Sequence, residues 1–276
     1  MKKKNTPAVI AIIVLVSLFL FTPILATILN SFFRDMSTGI PKGFTFDFYL
    51  SIFGGRVNML PAVGRSLLIA VIPTFVMLAV ILLSSYVVNV YFPWMDKYID
   101  LLSKIPYGIQ GVILAVSIIS LYGAMNGLFS NRVLLLGAAY CIVIFPYMYQ
   151  GVKNALTTID MMPILEAAES LGASKIKAYF TIIVPSIMKG LIATILLSIG
   201  ILFGDFVLVN IIAGSYYNTI SIFLNAVQSQ SGHAASAISI VIFLVMLILT
   251  VISNRFNNSD RRNPKISLVD DHQEEE

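Results

Sequence analysis

The chain has 276 residues, 58% of them hydrophobic and only 12% charged, about half the charged share expected of a soluble domain. So little charge excludes a surface that faces water throughout, and apolar runs approaching the ~20 residues that cross a hydrocarbon core make lipid the solvent. The formal net charge of +4 does not indicate nucleic acid, because the basic residues flank the apolar runs and form no continuous patch.

Read from the N-terminus, six runs qualify as spans: 8–29, 66–90, 105–122, 133–150, 187–212 and 234–254. The first follows Lys2, Lys3 and Lys4 in the manner of a signal peptide. Its apolar stretch exceeds the roughly 7–15 residues of a signal core, and no small-x-small cleavage site follows, so a retained anchor is expected. The segment 33–65 is long and carries Phe44, Phe46, Phe48 and Tyr49; a short interfacial or re-entrant piece is expected there. Trp94, after the second run, suits a membrane boundary. The single cysteine, Cys141, lies in the fourth run, so no intrachain disulfide can form and a small packing role is the simplest reading. The segment 151–186 is longer than a tight helical hairpin needs, and long loops of this kind usually carry structure or function of their own.

The fifth run has Lys189 near one end, Asp205 deep within it, and Gly200 and Gly204 at a spacing that permits close helix contact. The loop that follows holds Tyr216, Tyr217, Asn218 and His233 but no lysine or arginine. Residues 1–256 thus form one transmembrane domain, and the polar tail 257–276, ending in three glutamates, is expected to be disordered.

Lysine and arginine set the orientation, because short loops rich in them stay on the cytoplasmic side. With the N-terminus inside, the inner segments carry thirteen of the 18: Lys2, Lys3, Lys4, Lys97, Lys104, Lys153, Lys175, Lys177, Lys189, Arg255, Arg261, Arg262 and Lys265. The outer segments carry Arg34, Lys42, Arg56, Arg65 and Arg132. Both termini are expected in the cytoplasm.

The sequence has no G-x-x-x-x-G-K-[ST] phosphate loop, no metal-ligand cluster and no nucleophile–base pair. If transport needs ATP, another chain must supply the ATPase. Asp205 has two readings, a carboxylate lining a solute path or one hydrogen-bonded within the helix bundle, since a charge at mid-bilayer costs several kcal/mol unless it has work to do.

The inner segment 151–186 reads as helix–turn–helix. Asp160 stands where it can cap a first helix, Pro163 is tolerated in its first turn, and Gly172 suits a left-handed C-terminal position. Ser174 can cap a second helix, in which Ile176, Phe180 and Ile183 recur at helical spacing until Pro185. Small Ala167 and Ala168 beside Glu166 leave a smooth surface that another protein could clasp.

Glu166, Ala167, Ala168, Gly172, Ile182 and Pro185 resemble, in register, the cytoplasmic signature of the permeases of binding-protein-dependent ABC importers: E-A-A, three residues, G, nine residues, I-x-L-P. Val184 stands at the leucine. The resemblance extends over all six runs. It implies an all-α membrane protein with six transmembrane helices and a cytoplasmic coupling helix between spans 4 and 5, in the bacterial inner (plasma) membrane. It makes Glu166 to Gly172, with Ile182 and Pro185, the ATPase-coupling element. The implied partners are two ATP-binding ABC subunits, which hold ATP and Mg, a second, homologous but non-identical permease, and an extracytoplasmic solute-binding protein. No catalytic residue, metal or cofactor is expected in this chain. A polyamine such as spermidine or putrescine is the favoured solute, with 2-aminoethylphosphonate and ferric iron as alternatives and Asp205 as the substrate-path candidate. A secondary transporter would need paired intramembrane charges and a membrane enzyme a catalytic constellation. An assembly factor would have no reason to carry the signature.

Overall fold

The computed structural model describes residues 6–35, 41–54, 58–109, 111–123 and 125–260. Among these residues, four helices are each long and apolar enough to cross a membrane: α1 (Thr6–Phe32), α3 (Leu60–Tyr91), α6 (Arg132–Leu156) and α12 (Gly232–Asp260). Their Leu-, Ile- and Val-rich stretches stay helical because a helix satisfies its own backbone where no water can. Asn131 fixes the start of α6, its side chain accepting from Val133 N at 3.0 Å and Leu134 N at 3.3 Å, an N-cap. None of the most apolar window of α1 is buried, against half of that of α6. α6 is therefore the centre of the bundle, and α1 a peripheral helix whose apolar sides are mostly exposed.

The other expected spans are bent. Residues 105–122 are not one helix: 105–108 close the amphipathic α4 (Asp96–Gly108), and α5 (Val112–Tyr122) follows as the second half of a bent pair. α5 has only 11 residues, about 16 Å of helix, so it cannot cross a bilayer by itself. The run 187–212 contains α10 (Met188–Phe203), a break at Gly204–Asp205, and a helical stretch ending in the π-helical turn Val209–Ala213. Helix α12 continues to Asp260, into the stretch expected as tail; 261–276 lie outside the described residues. Nor is the chain helical throughout. Strands β1 (Phe33–Asp35) and β2 (Lys42–Phe44) pair antiparallel, with Phe33 opposite Phe44 and Asp35 opposite Lys42. Helix α2 (Asp47–Gly54) follows them. Arg34 pairs with Asp47 and holds its carboxyl below the usual carboxylate range, with a further hydrogen bond to Thr45 acting the same way.

The buried side chains fall into three clusters. One joins α3, α5, α6, α10 and the 208–213 stretch around Ala70, Leu136, Tyr140 and Val209. A second joins the ends of α3 and α6 to residues 165–191 around Met148, Val152, Leu165, Tyr179 and Leu191. A third joins α2, α11 (Ile220–Gln228) and α12 around Ile52, Phe203 and Ile238. Between the first two, α6 and α10 approach so closely that a Cβ at Gly151 would fall inside Thr194, which is why only glycine fits there.

Candidate functional site

The signature segment forms a compact unit at one end of the bundle. Helix α7 (Met161–Ser170) ends in a Schellman turn: Gly172 N–H donates to Glu169 O at 2.9 Å and Ala173 N–H to Ala168 O at 3.0 Å. Gly172 sits at φ 86°, the left-handed position expected of it, where a side chain would be strained. Lys175 spans the turn to Glu169 at 3.3 Å. Asp160 and Ser174 occupy the two N-cap positions, but neither side chain makes a capping hydrogen bond; Asp160 instead lines the adjoining cavity.

The second half of the unit is a short α8 (Lys175–Ala178), a π-helical turn (Tyr179–Ile183) and α9 (Val184–Ser186). Pro185 has no N–H to give and its ring crowds the carbonyl of the preceding turn. The chain accommodates this by widening just before it, with Val184 N–H reaching back to Tyr179 O. The segment then bends by 73° into α10.

Burial divides the signature. Glu166, Ala167, Gly172, Ile182 and Pro185 are exposed, whereas Ala168 is buried. The surface that a partner could clasp therefore has Ala167 but not Ala168, whose methyl points into the core. Leu171, at the tip of the turn, is 88% exposed, an apolar knob that the sequence reading did not single out. Its only signal was an apolar residue placed directly before the turn glycine.

Beneath the exposed face, Leu165, Ala168, Ala178, Tyr179 and Ile183 pack against Ile81, Leu82 and Tyr86 of α3 and against Met148, Tyr149 and Val152 of α6. Tyr179 is fully buried, its hydroxyl donating to Leu82 O at 3.1 Å and its ring 5.1 Å from that of Tyr86. The unit is thus rooted in two spans, and Tyr179 is a functional candidate that periodicity alone did not distinguish from core.

A cavity of about 700 Å³ adjoins the unit, with Ser85, Asn89, Asp96, Tyr149, Lys153 and Asp160 among its lining. Lys153 of α6 lies 2.9 Å from Asp96 and 3.5 Å from Asp100 of α4. Tyr149 OH donates to Asp96 Oδ1 at 2.9 Å and Gln150 Nε2 to Asp100 Oδ1 at 3.1 Å. These partly exposed pairs contribute about 0–1 kcal/mol each. What they fix is register, holding the polar side of α4 against α6.

Asp205 lies far from this unit, in the break after α10. One carboxylate oxygen accepts from Tyr140 OH at 3.2 Å, Leu208 N at 3.1 Å and Val209 N at 3.3 Å. It thereby caps the helical stretch that resumes after the break. Lys189, at the other end of α10, is about 24 Å away along the helix and does not meet it. Gly200 and Gly204 face Met246 of α12, the close helix contact their spacing suggested. His233 is not an open loop residue: its Nδ1 is 2.9 Å from Asn30 O and its ring stacks on Phe48. Tyr216 is 78% exposed under the Arg132 guanidinium, and Tyr217 OH and Asn218 O hold Arg65.

The sequence model of the family described as "Binding-protein-dependent transport system inner membrane component" matches residues 66–263. A probable ABC transporter permease protein of Sinorhizobium fredii is 27% identical over 274 residues, 94% of this chain and 47% of the relative; the chain spans about half of that protein's length. The spermidine/putrescine transport system permease protein PotC of Haemophilus influenzae is 25% identical over 247 residues, covering 87% of this chain and 93% of the relative. The corresponding PotB of Salmonella typhimurium is 25% identical over 306 residues, covering 98% of each. Among solved structures, the MetNI methionine ABC transporter in inward-facing conformations aligns with a TM-score of 0.56 at 14% identity, over 73% of this chain and 95% of that one. That likeness concerns the fold.

The geometry around Asp205 predicts that Asp205→Ala, which strands two backbone N–H groups and the Tyr140 hydroxyl, lowers stability by about 1–3 kcal/mol. Asp205→Asn can still accept these bonds and should lose less than about 1 kcal/mol. Thermal unfolding of the purified protein in detergent measures both, and an alanine variant as stable as its parent would remove the cap from the account.

Proposed function

Because the chain belongs to the family of binding-protein-dependent transport system inner membrane components, we propose that it is the permease subunit through which an ABC importer moves a small solute. In this reading an extracytoplasmic binding protein delivers the solute and separate ATPase subunits drive its passage. The family is a membrane component rather than a catalyst, so ATP and Mg belong to two partner ATP-binding chains. A second, homologous permease completes the pathway. Similarity to both a PotB and a PotC protein supports a pairing of non-identical permeases.

The observation that carries the proposal is the exposed Glu166–Gly172 surface set on a buried root. A coupling element needs an accessible face and a stiff attachment, because a force applied to a loose loop is lost in the loop. Here Glu166, Ala167 and the Leu171 tip are the accessible face. The Schellman turn stiffens it, and the shared core passes displacement to the ends of α3 and α6. Closure of two ATPase subunits would push on α7 and turn both spans together, switching access from one side of the membrane to the other. The lysine and arginine count supports a cytoplasmic placement of this unit and of both termini.

The names of the spermidine/putrescine permeases support a polyamine as the solute. Asp205 is the substrate-path candidate: its hydrogen bonds fix a carboxylate inside the fifth span, and a fixed intramembrane carboxylate attracts a cation.

Three outcomes test these statements. Gly172→Val, which forces a branched side chain into a left-handed turn, together with Glu166→Arg, should abolish uptake and solute-stimulated ATP hydrolysis in reconstituted complexes. The binding protein would keep its affinity for solute; normal uptake would sink the coupling assignment. In a Cys141→Ser background, a cysteine replacing Ser215 should react with an impermeant thiol reagent added to intact cells. One replacing Ser174 should react only after the membrane is opened, and the reverse pattern would invert the orientation. Finally, radiolabelled putrescine or spermidine uptake should be present in the parent complex and strongly reduced by Asp205→Asn. Absent uptake in the parent rejects the polyamine, and unchanged uptake in the variant leaves Asp205 as a cap alone.

A further inference from the structure

Helix α2 and the hairpin before it divide their surface in a way that neither a loop in water nor a buried element requires. A backbone hydrogen bond from Leu50 N to Phe46 O at 3.1 Å carries the helical arrangement back to Phe46. At about 100° per residue, positions 46–54 then fall into three sectors. Phe48, Tyr49 and Ile52 face the protein: Ile52 is 1% exposed, Tyr49 OH lies 2.9 Å from Ser31 Oγ, and Phe48 stacks on His233. Asp47, Ser51 and Gly54 form a second, exposed sector without large apolar groups. Phe46, Leu50 and Phe53 form the third, apolar yet exposed at 55%, 70% and 44%.

We infer that this segment is a ledge in the lipid interface, with Phe46, Leu50 and Phe53 resting on the bilayer at the end opposite the signature unit. A helix lying flat on a membrane beside its own bundle meets three media, and protein, lipid and water each match one sector. Continuity identifies lipid as the occupant of the third. Helix α1, whose sides are open along its apolar length, ends at Phe32, and the Phe32 ring packs 5.8 Å from Phe44 and 5.5 Å from Phe46. The exposed apolar surface of α1 therefore runs on to the ledge without a gap. Helices that lie in the interface sink a face of Phe and Leu into the boundary between headgroups and acyl chains, and the exposed Arg34 and Lys42 of the hairpin stand at that end, where phosphates are found. The ledge also anchors, through Tyr49 to Ser31 of α1 and through Phe48 to His233 of α12, the two helices it bridges. The inference takes from the proposed function only that the bundle spans a membrane, and its test does not use transport.

Trp94 is the only tryptophan of the sequence, so a Trp94→Phe background permits single-tryptophan probes. Leu50→Trp, Phe53→Trp and, as control, Ser51→Trp are purified with their co-expressed partner chains and reconstituted in vesicles, and the emission of the Trp94→Phe parent complex, which comes from the partner chains alone, is subtracted. Lipids brominated near the headgroup end of the acyl chain should remove most of the emission at positions 50 and 53 while aqueous acrylamide removes little; position 51 should behave oppositely. Quenching of positions 50 and 53 by acrylamide but not by bromolipid would place them in water. Protection from both quenchers in the assembled complex would place them under a protein partner. Either result overturns the inference. If the tryptophan variants fold poorly, a nitroxide on Phe53→Cys in a Cys141→Ser background reads the same contrast from collisions with oxygen against a water-soluble nickel chelate.

Discussion

A break in a helix within hydrocarbon leaves N–H and C=O groups that no solvent will satisfy, each costing several kcal/mol, so every break must carry its own repair. The architecture follows from where breaks occur and how they are mended. In the fifth span Asp205 supplies an acceptor to Leu208 N and Val209 N, so the chain can stop at Phe203 and resume as helix within a few residues. Before Pro185 the repair is geometric: a π-helical turn redistributes the carbonyls that proline cannot serve. Among the described residues the six apolar runs give four helices long enough to cross a membrane and two bent pairs.

The same economy governs the charged groups. Asp96, Asp100, Lys104 and Lys153 pair with one another across α4 and α6 at the signature end, beside the cavity. Arg65 and Arg132 donate to backbone carbonyls around Asn218 and Ile212 at the other end. Between these two layers, Asp205 receives its donors from the backbone and from Tyr140 rather than from a cation. Pairs of this exposure contribute little stability, but they fix which face of each helix meets its neighbour. An apolar interface bathed in equally apolar lipid specifies that choice weakly.

The signature unit is attached to the spans in a way that suits the coupling role proposed for it. Its outward residues are small, charged or protruding, and its inward ones are large and shared with α3 and α6. Tyr179 stands at the centre, its hydroxyl donating to Leu82 O and its ring tilted against that of Tyr86, which ties the π-helical turn to the end of α3. The approach of α6 and α10 at Gly151 extends this stiffness toward the break at Asp205. Interiors packed this closely move as bodies rather than deform.

The sequence by itself determined the solvent, the number of apolar runs, the turn at Gly172 and the place of the signature. Each of these is a local property, summed over some 20 residues or set by one residue's backbone freedom. Only the tertiary structure decided that Ala167 is exposed and Ala168 buried, that Tyr179 roots the unit, that Lys153 meets Asp96 and Asp100, and that Asp205 meets Tyr140. It also decided that residues 105–122 are bent rather than straight and that 33–35 and 42–44 pair as strands. The reason is physical. In a soluble helix an apolar stripe against a polar face tells inside from outside, but spans that are apolar all round carry no such stripe, since lipid and protein core are alike to them. Their inward faces are set by hydrogen-bonding partners and small residues on other segments, and those are brought together only by folding.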